Sequence, residues 1–209
     1  NSRYDFMDFA KHYQVYEPTR HDALVQSAAL FVMCDLSSLA RLGPLGDVVA
    51  AAGVRTACID HHPCEHEGPA DLNVLDATAT ATGRIVWEYI RHVGGRVDHE
   101  IAESVFVSLC TDTGWFRYAN TNDGVLQLAG ELAAHRLDVH GIHRAIYQSS
   151  SMPLLRLLGH VTRGVHEECG GRFAWFVIRK ELVRELGVDR LDTDPILDVL
   201  RSAGKIEAV

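Results

Sequence analysis

An apolar run, Thr56-Ala57-Cys58-Ile59, stops abruptly at Asp60-His61-His62-Pro63, and this stretch constrains the chain more than any other. A short apolar run closed by turn residues is the signature of a strand buried on both faces, the form strands take in parallel sheets. Arg55 to Ile59 is therefore expected to be a short, buried parallel strand. Ligands of open α/β sheets sit just beyond the carboxyl ends of such strands, where Asp60, His61 and His62 fall. Each buried imidazole needs a polar partner, so two adjacent histidines and an acid are poor core material. They are good metal-site material.

The same design occurs once more upstream. Ala28-Ala29-Leu30-Phe31-Val32-Met33-Cys34 is a continuous apolar run of strand length ending in Asp35. Gly43-Pro44 then opens a helix over 45–52, with proline near its first turn and Gly53 at its end. Strand, helix and strand in succession make a βαβ unit, whose crossover is expected to be right-handed. Asp35 and His61 then lie on neighbouring strand ends.

Downstream, Leu72 to Asp76 is expected to be a short edge strand. A helix follows Thr82-Gly83, with Ile85, Val86, Tyr89, Ile90 and Val93 on one face and Gly94-Gly95 as its stop. A second helix, over 98–109, runs into Thr111-Asp112-Thr113-Gly114-Trp115-Phe116-Arg117. Helices over 122–134 and 139–148 precede a boundary at Ser149-Ser150-Ser151-Met152-Pro153. Beyond it come a helix or long strand over 154–166, an alternating strand over 173–178, helices near 181–186 and after Asp194-Pro195, and a strand beginning at Ile206. Residues 1–21 show no clear period and are expected to be mostly irregular, with room for one short helix. The fold class is α/β: a parallel-sheet domain with flanking helices (1–150), then a smaller, incomplete α/β domain (154–209).

Composition narrows the function classes. A formal charge of -8 argues against a long duplex-binding groove, which needs clustered Lys and Arg. No apolar run approaches the roughly 20 residues of a membrane span. The five cysteines are odd in number and form no Cys-x-x-Cys pair, as expected for reduced, largely buried thiols in a cytoplasmic protein. Asn1 in place of an initiator Met leads to the expectation of processing or truncation.

Asp35, Asp60-His61-His62 and Asp112 each follow an apolar element and can reach one edge of the sheet. Carboxylates with imidazole and no thiolate suit Mn²⁺ or Mg²⁺ rather than structural zinc. Two such ions roughly 3.5–4 Å apart can clamp the attacking and leaving oxygens of a phosphoryl displacement.

This ordered set resembles the DHH phosphoesterase family. Asp60-His61-His62-Pro63 is similar to its naming motif, and the run from Val32 through Asp35 to Gly43 resembles the strand and acid before it. Thr111 to Thr121 is similar to the later acidic motif of the branch that contains oligoribonuclease and phosphoadenosine-phosphate phosphatase. The similarity runs from about Ala28 to Met152, and the tail from Leu154 resembles the opening of the DHH-associated domain.

The resemblance implies that Asp35 bridges two ions, that His61 and Asp112 are further metal ligands, and that His62 contacts the scissile phosphate and acts as an acid. It makes Asp60 the acceptor that fixes a histidine ring, and Arg41 and Arg117 phosphate contacts. It implies Mn²⁺, or Mg²⁺, as cofactor, with two ions in the intact enzyme. The substrate is then a short single-stranded RNA or a nucleotide, with no membrane partner, and a homodimer is allowed. The implied activity is hydrolysis of short oligoribonucleotides or of the 3′-phosphate of phosphoadenosine phosphate.

Cyclic-dinucleotide phosphodiesterase, exopolyphosphatase and pyrophosphatase share the same metal logic. A non-catalytic nucleotide-binding regulatory module is a reading of another class.

Two departures stand out. The family's opening His-x-x-x-Asp-x-Asp has no counterpart before Asp35, since Asp5 and Asp8 have the wrong spacing and follow no apolar strand. Asp192-Thr193-Asp194-Pro195 has the Asp-x-Asp form but is better explained as a helix cap before a first-turn proline. The late Gly-Gly-Gly-His loop is absent as well. Both absences lead to the expectation of a fragment whose activity alone is reduced. The remaining histidines, among them His12, His66, His143 and His166, stand at no ligand spacing and are expected at the surface or in caps. Trp115 and Phe116 are left between base stacking and covering the core.

Overall fold

The computed structural model describes residues 2–7, 12–36, 38–64, 68–189 and 191–209. Asp8, Ser37 and the Glu65-His66-Glu67 loop lie outside the described residues. Two compact units result, Asn1–Ala145 and Ile146–Val209.

The first unit holds a sheet in the order β1-β2-β3, from Phe31–Cys34, Thr56–Asp60 and Leu72–Leu75. Both pairings are parallel, with Cys34 opposite Ile59 and Asp60 opposite Leu75. Register therefore brings Asp35 and His61 to one edge: the Asp35 amide donates to Ile59 O at 2.9 Å. Asp71 anchors the start of β2 by accepting from the Thr56 amide and hydroxyl at 2.8 and 2.9 Å.

Helices follow the apolar periods. Helix α2 (Pro44–Ala52) starts on proline and ends on Gly53 at φ 62°, a left-handed conformation that glycine adopts without a Cβ penalty. Helix α3 is Thr82–His92 and α4 is His99–Asp112. The Asp98 carboxylate caps α4 by accepting from the Ile101 amide, as Asn122 caps α5 (Asp123–Ala133) through Val125. Leu109, Leu132 and Val125 are fully buried, each contributing about 1.5–3 kcal/mol of transfer free energy. Helix α6 is Val139–Tyr147.

One helix runs past the stretch in which a short helix was expected. Helix α1, Pro18–Gln26, starts inside the 1–21 stretch and ends beyond it, with a short 3-10 helix at Ser2–Met7 before it. Only Val25 of α1 is buried, so there was no apolar stripe to see, and Pro18 in its first turn was the one available signal.

In the second unit, α7 (Met152–Gly164) resolves the helix-or-strand choice in favour of helix, capped by Ser151. Leu154, Leu157 and Val161 pack with Val188, Ile196 and Leu200. Helices α8 (Lys180–Glu185) and α9 (Asp194–Arg201) complete the layer. The N-cap of α9 is Thr193, without a side-chain bond; Asp192 instead accepts from the Asp194 amide at 3.2 Å.

Strands β4 (His166–Glu168) and β5 (Phe173–Trp175) form an antiparallel hairpin. The expected alternation to Ile178 stops at Trp175 because its partner is His166, which only the cap residue Val165 separates from the end of α7 at Gly164. On the other side the last residues add a parallel bridge, Phe173 to Ala208, with Ala174 N donating to Ala208 O at 2.9 Å.

Candidate metal centre

Asp35 is the first residue after β1 and sits at φ 58°, an uncommon conformation for a residue with a Cβ. It brings the carboxylate to the histidine pair: Asp35 Oδ1 lies 3.5 Å from His61 Nε2 and 3.8 Å from His62 Nδ1. The hydroxyl of Thr82 donates to the same oxygen at 2.8 Å.

Asp112 arrives from another direction. It is the last residue of α4, three residues beyond the expected helix end, and its Oδ2 lies 3.6 Å from His61 Nε2. His61 thus has a carboxylate on either side of one ring nitrogen. Its other nitrogen, Nδ1, lies 3.3 Å from Ala79 O. With the proton on Nδ1, as this bond assigns it, Nε2 is a free lone pair facing both acids.

Asp60 has a different task. It is 1% exposed, and its Oδ1 accepts from the His62 amide at 3.0 Å and from His62 Nδ1 at 2.7 Å. Burial alone would raise the Asp60 carboxyl, but the bonds from His62, and a further one from the His61 amide, hold it below the usual carboxylate range. Its Oδ2 is buried without a hydrogen-bond partner among the described residues. His62, half-exposed, therefore has its Nδ1 committed to Asp60 and its Nε2 left to act.

Ligand atoms of Asp35, Asp60, His61 and His62 lie within 4.8 Å of one another. Two ligands of one ion, each about 2.1 Å from it, stand about 3 Å apart. The 3.5 and 3.6 Å separations around His61 Nε2 are near that spacing and beyond a normal hydrogen bond. The donor set and the free Nε2 lone pair fit a divalent cation.

Helix α4 gives way to a turn with three successive left-handed residues, Gly114 (φ 54°), Trp115 (φ 60°) and Phe116 (φ 62°). Buried Thr113 pins it: its hydroxyl donates to Leu109 O and accepts from the Phe116 amide at 2.9 Å. Trp115 and Phe116 stand edge-on to Phe106, and His143 packs against Trp115, so these aromatics cover the helix rather than standing free. A Cβ at Gly114 would run into the Tyr118 ring. Gly114→Ala is expected to cost about 2–4 kcal/mol, from the left-handed backbone and the clash together. Urea unfolding measures it, and an unchanged midpoint would mean that the turn relaxes freely.

Arg41 and Arg117 are both exposed. Arg117 Nε donates to Gly114 O at 2.6 Å, so part of its guanidinium supports the turn. Of the cysteines, Cys58 and Cys110 are buried as expected while Cys34 is exposed, because β1 is an edge strand; all five are free thiols. Burial pushes the Cys110 thiol up to about 12.

Sequence reasoning missed Ala79, Thr80, Thr82 and Asn120, which surround the cluster. The alternation Thr78-Ala79-Thr80-Ala81-Thr82 was the signal available.

No family model matches the chain. It is 24% identical over 198 residues to the bifunctional oligoribonuclease and PAP phosphatase NrnA of Bacillus subtilis, covering 93% of this chain and 61% of that protein. The protein of the same name from Thermus thermophilus is 30% identical over 143 residues, 68% of this chain and 42% of its own. An exopolyphosphatase-related protein from Bacteroides fragilis superposes on 99% of the chain with a TM-score of 0.91 at 23% identity, which speaks to the fold, and 62% of that protein is covered. The chain therefore spans about three fifths or less of the length of the proteins it matches. With these relatives, a matching fold and the Asp-His-His motif at the end of a parallel strand, the chain is similar in sequence and fold to the DHH phosphoesterases.

Proposed function

We propose that this chain carries part of the active site of a Mn²⁺-dependent phosphoesterase that hydrolyses short oligoribonucleotides and the 3′-phosphate of phosphoadenosine phosphate. The observation that carries the reading is His61 Nε2 lying 3.5 and 3.6 Å from Asp35 and Asp112. The two NrnA relatives, an oligoribonuclease and PAP phosphatase by name, support the substrate class.

Asp35, His61 and Asp112 would hold the ion, with Ala79 O keeping the His61 proton on Nδ1. A divalent ion bound there supplies a Lewis acid and an activated water. His62, its Nδ1 held by Asp60, presents Nε2 to the scissile phosphate and donates a proton to the leaving oxygen. Arg41 and Arg117 are assigned to the phosphates of the incoming strand.

The test is hydrolysis of a 5′-phosphorylated diribonucleotide by the purified chain, with Mn²⁺ and with EDTA. Mononucleotide release that depends on Mn²⁺ is expected. Dinucleotide binding with no turnover at any metal concentration would overturn the enzymatic reading in favour of a binding module.

A further inference from the structure

The segment from the end of β3 to the first residue of α3, Asp76 to Thr82, reaches Asp60, His61 and Asp35 directly and Asp112 through Asn120. It starts where the Asp76 amide donates to Asp60 O at 3.1 Å. It is folded on itself, since Asp76 Oδ1 accepts from both the amide and the hydroxyl of Thr78, at 2.9 and 2.6 Å. Ala79 O meets His61 Nδ1. The Thr80 hydroxyl donates to Asn120 O at 3.2 Å, and Asn120 Nδ2 donates to Asp112 O at 3.0 Å. The Thr82 hydroxyl ends the series on Asp35 Oδ1.

Resting on the metal-centre reading above, we propose that this loop is the frame that sets the geometry of the site, and that Thr82 is a positioning residue acting through the Asp35 carboxylate. Asp35 is where such help matters most. Its side chain is 53% exposed, against 17% for His61 and 31% for Asp112, so packing does little to select its rotamer. Its backbone is held in place by the Ile59 pairing, but the carboxylate can still turn about its own side-chain bonds. The Thr82 hydroxyl removes that freedom. Thr82 is itself 5% exposed at the first turn of α3, so its hydroxyl is aimed by a rigid element. Partners of this kind, which orient a ligating carboxylate, typically change metal affinity by about 10–100-fold.

Thr82→Val keeps the shape and removes the hydroxyl, whereas Thr82→Ser keeps the hydroxyl and removes the methyl. Calorimetric titration of the whole chain with Mn²⁺ alone should show about 10–100-fold weaker binding for Thr82→Val. Thr82→Ser should stay within about threefold of the unsubstituted chain, a rescue that a packing role would not give. Should Thr82→Val not fold, Thr82→Ser against Thr82→Ala carries the same comparison. Equal affinity of Thr82→Val and the unsubstituted chain would overturn the positioning role and leave the proposed function standing. Equal losses in Thr82→Val and Thr82→Ser would assign the effect to packing and overturn it too. No Mn²⁺ binding by the unsubstituted chain would overturn the metal centre and this inference together.

Discussion

His62→Ala is expected to lower hydrolysis of a diribonucleotide by about 10²–10⁴-fold, the loss of a general acid, while Mn²⁺ affinity stays near that of the unsubstituted chain. The adjacent His61→Ala should fail differently: its Mn²⁺ affinity drops and part of the rate returns at high Mn²⁺. The difference follows from what holds each ring. His61 gives Nδ1 to the Ala79 carbonyl and turns Nε2 to two carboxylates. His62 gives Nδ1 to Asp60, so the nitrogen nearer Asp35 is already engaged. Parallel Mn²⁺ titrations and rate measurements on both variants decide the matter. Equal loss of metal from both would make both imidazoles ligands and remove the division of labour.

The parts legible in the sequence were those where one local rule dominates. Strand β2 could be read because a strand buried on both faces must be apolar; β1 carries the same apolar run although only Met33 is buried, and each stops where the polar residues of the site begin. Helices α2, α4 and α5 could be read from Pro44, Asp98 and Asn122, which start them by proline geometry or by capping. Asp112 was expected near the others, but the reason it gets there is the three-residue extension of α4, which Thr111 and Thr113 support by bonding back to Val107 and Leu109 carbonyls. The frame around the site was not legible. Thr80 and Thr82 act at sequence separations of 40 and 47 residues, and no periodicity encodes such a contact. A hydroxyl in a loop or at the start of a helix carries no local mark of whether it faces water or a carboxylate.

Asp112 gives the second large effect, a loss of metal binding in acid. Burial pushes its carboxyl up to about 6; His61 and His62 draw it down and Asp35 adds to the rise. A ligating carboxylate must be ionised, so protons compete with the ion wherever Asp112 is protonated. Apparent Mn²⁺ affinity is expected to be level above about pH 7 and to fall by about tenfold for each pH unit below about 6 from this group alone. The sign for stability is opposite to that of a salt-bridged acid. The ordinary value is 3.8 and the folded value is higher, so between them the metal-free folded state binds more protons than the unfolded state. Its contribution to stability is therefore present below pH 3.8 and is lost as pH rises through about 6. Asp112→Asn, which imitates the protonated form, should gain on the unsubstituted metal-free chain in thermal midpoint as pH is raised from 4 to 7. It should also bind Mn²⁺ weakly at every pH. If the midpoint difference between the two chains is flat across that range, Asp112 is ionised throughout, and the acid loss of metal must come from the histidines.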